Sequence, residues 1–101
     1  MKIYIAGKIT GDTEYKTKFQ KAEDKLRGMG HSVMNPAWIQ ESPEFSWNDY
    51  MAVTEAMQKC CDAVYLLPDW QDSKGAVIEY KRAKKLRQSV CFTPEEFGQE
   101  S

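Results

Sequence analysis

A glutamate on the apolar side of a helix is the residue with most to explain in this chain. If Gly75 to Arg87 is helical, a rotation of roughly 100° per residue puts Ala76, Tyr80, Ala83 and Leu86 on one arc. Glu79 falls inside that arc, in the first turn. Asp69 and Asp72 lie on the loop that leads to it, just beyond the apolar run Ala63 to Leu67. One acid held ionised can attack or stabilise an electron-poor carbon while another, kept protonated, donates to a leaving group. Glycosidic chemistry divides labour in this way. The competing reading is a solvated acidic loop beside a salt-bridged glutamate. Asp62 precedes the apolar run and reads as structural.

Other residues can serve the same place. Gly7-Lys8-Ile9-Thr10-Gly11 follows a first apolar run, where backbone N–H groups and a helix N-terminus favour anions; Lys8 and the Thr10 hydroxyl would assist. An ordinary turn is the plainer explanation, and the spacing is neither the P-loop nor the dinucleotide fingerprint. Trp38, Trp47 and Trp70 can form a wall for a planar base, although each is commonly packing. Tyr4 can bring its hydroxyl to Glu79 across the sheet edge. His31 is read as structural, and Lys81, Arg82, Lys84, Lys85 and Arg87 as a solvated face complementing the negative end of their helix.

The elements that must position these residues alternate. Ile3 to Ile5 reads as a buried strand, and Tyr15, Phe19, Ala22, Leu26 and Met29 follow at helical spacing, with Asp12 or Thr13 to cap and Gly28 or Gly30 to stop. His31 to Met34 is a second strand. A polar loop then leads to Ser46, a cap for a helix with Trp47, Tyr50, Thr54, Met57 and Cys61 on one face. Ala63 to Leu67 is the third strand and Val90 to Phe92 the fourth. Thr93-Pro94-Glu95-Glu96 is a further helix start, and the last few residues are expected to fray. Strands alternating with helices imply right-handed crossovers, hence an α/β fold with helices on both faces of a parallel sheet. The expected order is flavodoxin-like, 2-1-3-4, with the site at the switch point between strands one and three.

Composition bounds the rest. At 101 residues and 42% hydrophobic the chain fits a single small domain over its whole length. A formal charge of -1 gives no global field for long nucleic acid. Three cysteines, Cys60 and Cys61 adjacent, suit reduced thiols in a cytosol, and no Cys or His spacing supports a metal. No signal peptide or membrane span is read in the opening Lys2-Ile3-Tyr4-Ile5-Ala6, so a soluble intracellular protein is expected.

Four blocks in order, Lys2 to Gly11, Gly30 to Pro36, Trp47 to Met51 and Cys61 to Pro68, resemble the small phage and bacterial DUF4406 proteins, relatives of the nucleoside 2-deoxyribosyltransferases. The resemblance runs from Met1 to about Arg87 and implies cleavage of the N-glycosidic bond of a nucleoside or nucleotide through a covalent glycosyl-enzyme. By the same resemblance Glu79, in Gly75-Ala76-Val77-Ile78-Glu79, matches the nucleophile, Asp72 the acid that helps orient sugar and nucleophile, and Tyr4 its hydrogen-bonding tyrosine. Gly7 to Gly11 matches the sugar or phosphate loop, and Asn35, Trp38, Thr54, Asp69, Trp70 and Gly75 complete the expected substrate pocket. No cofactor is implied. A bacterial or phage-infected host cytosol is, together with a homo-oligomer, dimer or higher, joined through Trp47, Tyr50, Met51, Val77 and Ile78. Relatives have proline at Lys8, a slightly shorter Asp72 to Glu79 segment, and an aspartate contacting the departing base at Thr54. Two functions therefore stand side by side: a glycosidase or transferase, with hydrolysis preferred, and a protein that sequesters a nucleotide without turnover. A purely structural interaction domain ranks below both.

Overall fold

A computed structural model describes residues 1–98 of the chain. Strands β1 (Lys2–Ala6), β2 (Ser32–Met34), β3 (Ala63–Leu66) and β4 (Ser89–Cys91) are all parallel and stand in the order β2-β1-β3-β4. This is the expected flavodoxin-like order. Three helices connect them: α1 (Tyr15–Gly28), α2 (Trp47–Lys59) and α3 (Lys74–Lys85). Single 3₁₀ turns form at Pro36–Trp38, Trp70–Asp72 and Pro94–Phe97. The last of these occupies the helix start read at Thr93; the expected frayed tail concerns residues 99–101, outside those described.

Strand alternation divides the core. Ile3 and Ile5 of β1 point to one side and pack with Phe19, Ala22 and Leu26 of α1, while Tyr4 and Ala6 point to the other and pack with Ala76 and Ala83 of α3. Each fully buried large apolar side chain, such as Phe19 or Leu26, contributes roughly 1.5–3 kcal/mol. The same alternation decides that Tyr4 faces α3.

Helix ends differ in part from expectation. Ser46 caps α2 in a reciprocal box with Asp49: its Oγ accepts from Asp49 N at 3.1 Å, and the Asp49 carboxylate accepts from Ser46 N at 2.8 Å. Neither Asp12 nor Thr13 caps α1. Its N-cap is Glu14, and the Asp12 carboxylate is divided between Glu14 N and Lys18. At the other end Gly30, at φ 93°, takes the left-handed position of a Schellman turn, with His31 N bonded to Leu26 O at 3.1 Å and Gly30 N to Arg27 O at 3.0 Å. On α3 the buried arc is Ala76, Glu79 and Ala83. Leu86 is the C-cap and is 41% exposed, because the helix stops one residue before it. Since α3 starts at Lys74, Glu79 stands in its second turn. Cys61 lies beyond α2, whose buried residues are Thr54 and Gln58.

Candidate active site

At the carboxyl edge of the sheet the Tyr4 hydroxyl donates to Glu79 Oε2 at 2.5 Å, and both side chains are buried. The main chain at Glu79 is fixed as well. Gln58, fully buried on α2, donates its amide to Glu79 O at 2.9 Å and to Gln88 Oε1 at 3.0 Å, and accepts from Arg82 Nη1 at 3.0 Å. Burial pushes the Glu79 carboxyl up to about 7, against the opposing pull of the Tyr4 and Thr54 hydroxyls and the Arg82 guanidinium. Tyr4 is raised well above the usual phenol value by burial and by the neighbouring Glu79.

The pair lies in the wall of a cavity of about 570 Å³, within the range of small-molecule sites. Of the residues read from sequence, Tyr4, Gly7, Ile9, Thr10, Thr54, Asp72, Gly75 and Glu79 line it. Gly7 fits there because the Leu67 side chain, just past β3, lies against it: a Cβ on Gly7 would come to 2.7 Å from that side chain. Gly75 faces the Met51 sulfur, which a Cβ would approach to 3.2 Å. Thr54 donates its hydroxyl to Met51 O at 3.2 Å.

Six residues expected in the pocket do not line it. Asp69 does not overhang Glu79: its carboxylate is bonded to Lys18 and, at 3.1 Å, to Lys8 N. Lys18 also donates to Lys8 O at 2.9 Å and to Asp12 at 2.5 Å, so Lys8 contributes its main chain to a joint between two loops. Gly11 turns that loop at φ 82°. Asn35 is buried under α1, where its amide donates to Glu23 Oε1 at 3.0 Å and its carbonyl accepts from Ala37 N at 2.8 Å. The Trp38 indole donates to the same Glu23 oxygen at 2.8 Å. Trp70 packs on Tyr80, with ring centroids 4.8 Å apart. Among the three tryptophans only Trp47 reaches the cavity, its ring beneath the Lys74 ammonium at 4.8 Å.

The model of the family described as a domain of unknown function, DUF4406, matches residues 1–92. The chain belongs to the DUF4406 family. No curated protein matches this DUF4406 chain in sequence. Among solved structures it is similar to the 2-deoxyribosyltransferase of Bacillus psychrosaccharolyticus, with 23% identity and a TM-score of 0.70 over 89% of this chain and 69% of that one. The two share a fold.

Sequence reasoning passed over Tyr15, Glu41 and Ser73 as lining residues of the DUF4406 cavity and assigned Tyr50 and Met51 to an interface. Tyr50 and Met51 had a signal, for they precede Thr54 by one helical turn and share its face. Glu41 had none, lying in an irregular loop. Among the described residues of this DUF4406 protein no cluster of three or more His, Cys, Asp or Glu is placed to hold a metal, and no helix is long and apolar enough to cross a membrane. Chemically, the arrangement offers a buried carboxyl that titrates near neutrality, a phenol bonded to it and an exposed second acid, Asp72.

Proposed function

We propose that this protein cleaves the N-glycosidic bond of a nucleoside or nucleotide, with Glu79 as nucleophile. The observation that carries the proposal is the buried Tyr4–Glu79 pair in the wall of a cavity at the carboxyl edge of the sheet. A fold shared with a 2-deoxyribosyltransferase supports it. A Glu79 oxygen forms a bond to C1′ as the C1′–N bond breaks, and the bonding pair leaves on the base nitrogen, which takes up a proton from solvent. Water then adds to C1′, loses a proton and frees the carboxylate. Tyr4 holds the carboxylate in line, and Asp72 orients the sugar with the Gly7 to Thr10 loop. Hydrolysis is preferred over transfer because Asp72, Lys74 and Trp47 at the cavity are exposed, so water reaches the intermediate. Mass spectrometry of nucleosides, nucleoside monophosphates and NAD incubated with wild type and Glu79→Ala tests this. Free base from wild type alone is expected; equal release by both would remove Glu79 from the chemistry.

One observation favours a second reading, capture of the ligand without turnover. The Thr54 hydroxyl, which donates to Met51 O and lies beside the Tyr4–Glu79 pair, is no strong acid at neutral pH, so Thr54 gives the departing base no proton. In that case wild type and Glu79→Gln would carry the same intact ligand. Self-association belongs to either function: Phe45, Trp47 and Val53 are exposed on and beside α2, and Val77 and Ile78 are half-buried on α3. Sedimentation at micromolar concentration should show a dimer or larger; a strict monomer would count against it.

A further inference from the structure

The cavity holds a carboxylate that the cleavage step leaves unused. Glu41 stands on the loop between β2 and α2 and lines the cavity beside Tyr15, Ile39 and Tyr50. That loop is fastened to α2, since the Tyr50 hydroxyl donates to Ser42 O at 3.0 Å and accepts from Ser42 N at 2.5 Å. Glu41 is therefore held next to Tyr50. Along α2, Gln58 and Thr54 adjoin Glu79, and Tyr50 comes one turn further on, about 6 Å along the axis. With C1′ at Glu79, a base laid along α2 reaches Tyr50 and the loop that carries Glu41.

What a base would meet there is specific. An ionised carboxylate only accepts hydrogen bonds and has about four lone-pair sites. The Tyr15 hydroxyl lies near Glu41, whose charge adds to burial in raising the phenol. No Lys or Arg among the described residues pairs with Glu41. Its lone pairs suit an exocyclic amino group, which offers two N–H donors, over an oxo group, whose carbonyl oxygen they repel and whose neighbouring ring nitrogen offers one. Resting on the proposal that a nucleoside or nucleotide occupies the cavity, we infer that Glu41 is a specificity-determining residue that selects bases carrying an exocyclic amino group over their oxo counterparts.

Two matched pairs exchange that group for an oxo group, and with it a bare ring nitrogen for a ring N–H: 2′-deoxyadenosine against 2′-deoxyinosine, and 2′-deoxycytidine against 2′-deoxyuridine. Binding is measured by calorimetry in Glu79→Gln, where no base is released, with the same nucleosides and their 5′-monophosphates, and kcat/KM for base release is measured in wild type. The amino member of a pair should bind about tenfold tighter or more, the scale of one hydrogen bond to a charged group. Adding Glu41→Ala should weaken only the amino members and close the gap. Adding Glu41→Gln, whose amide both donates and accepts, should bring the ratio toward one. Glu41 is exposed, so these variants should melt with their parent. Equal binding within both pairs, a preference for oxo bases, or a preference that survives both Glu41 substitutions would overturn the inference while leaving base release intact. Absence of binding by all of these compounds would overturn it too, and absence of base release from wild type would separately remove the cleavage proposal.

Discussion

At the scale of single residues, Glu79 combines two demands that oppose each other. Burial favours the neutral carboxyl, whereas the nucleophilic role proposed for it needs the ionised form, and the balance near 7 makes both forms available at neutral pH. Base release should rise with pH through about 7 as the carboxylate forms. Tyr4→Phe removes a hydrogen bond that stabilises the ionised form, so its ascending limb should move to higher pH; a pH–rate profile of the two proteins checks this. Stability should run the opposite way. The folded value lies above the ordinary 4.5, so the folded state binds the proton more tightly than the unfolded chain. The penalty is absent below about 4.5, grows through the interval and is complete above about 7. Its size is roughly 3 kcal/mol. Glu79→Gln should therefore stabilise the protein more at pH 8 than at pH 4, as read by urea unfolding at each pH.

Among the elements, the helix ends show how far sequence carries and where it stops. Ser46 was legible because serine, followed three positions later by an acid, precedes a helical apolar pattern, and all the partners are local. Asp12 is likewise a capping type before α1, yet its carboxylate is divided between Glu14 N and Lys18, which also binds Asp69 on a loop after another strand. Local spacing contains no record of that distant partner. Glu79 was legible because its periodicity is local, whereas Trp38 and Trp70 were misplaced because an indole's partner, here Glu23 or Tyr80, is chosen by the fold. The end of α3 repeats the Schellman turn of α1 without its glycine. Arg87 occupies the left-handed position at φ 57°, with Gln88 N bonded to Ala83 O at 3.0 Å and Arg87 N to Lys84 O at 3.2 Å. Arg87→Gly should relieve that conformation and raise stability by about 1 kcal/mol, measured as a higher denaturant midpoint with unchanged slope.

For the whole molecule, the Lys18 joint matters because it ties the loop after β1 to the loop after β3, the two central strands that frame the cavity. Lys18→Met removes every one of these bonds. The amide of Lys8, which donates to Asp69, should then exchange its hydrogen at least tenfold faster, while amides within β1 stay protected; equal protection of Lys8 would show that the joint is dispensable. The order of the strands also has a consequence in time. Tyr4 belongs to the first strand, and the carboxylate it holds follows 75 residues later. On a ribosome β1 is made early and must wait for β3 before its inner edge is paired, and for α3 before the face that carries Tyr4 is covered. The helix that covers Tyr4 and the carboxyl that Tyr4 holds thus emerge together, so a half-made chain exposes sticky surface before the pair proposed to do chemistry exists.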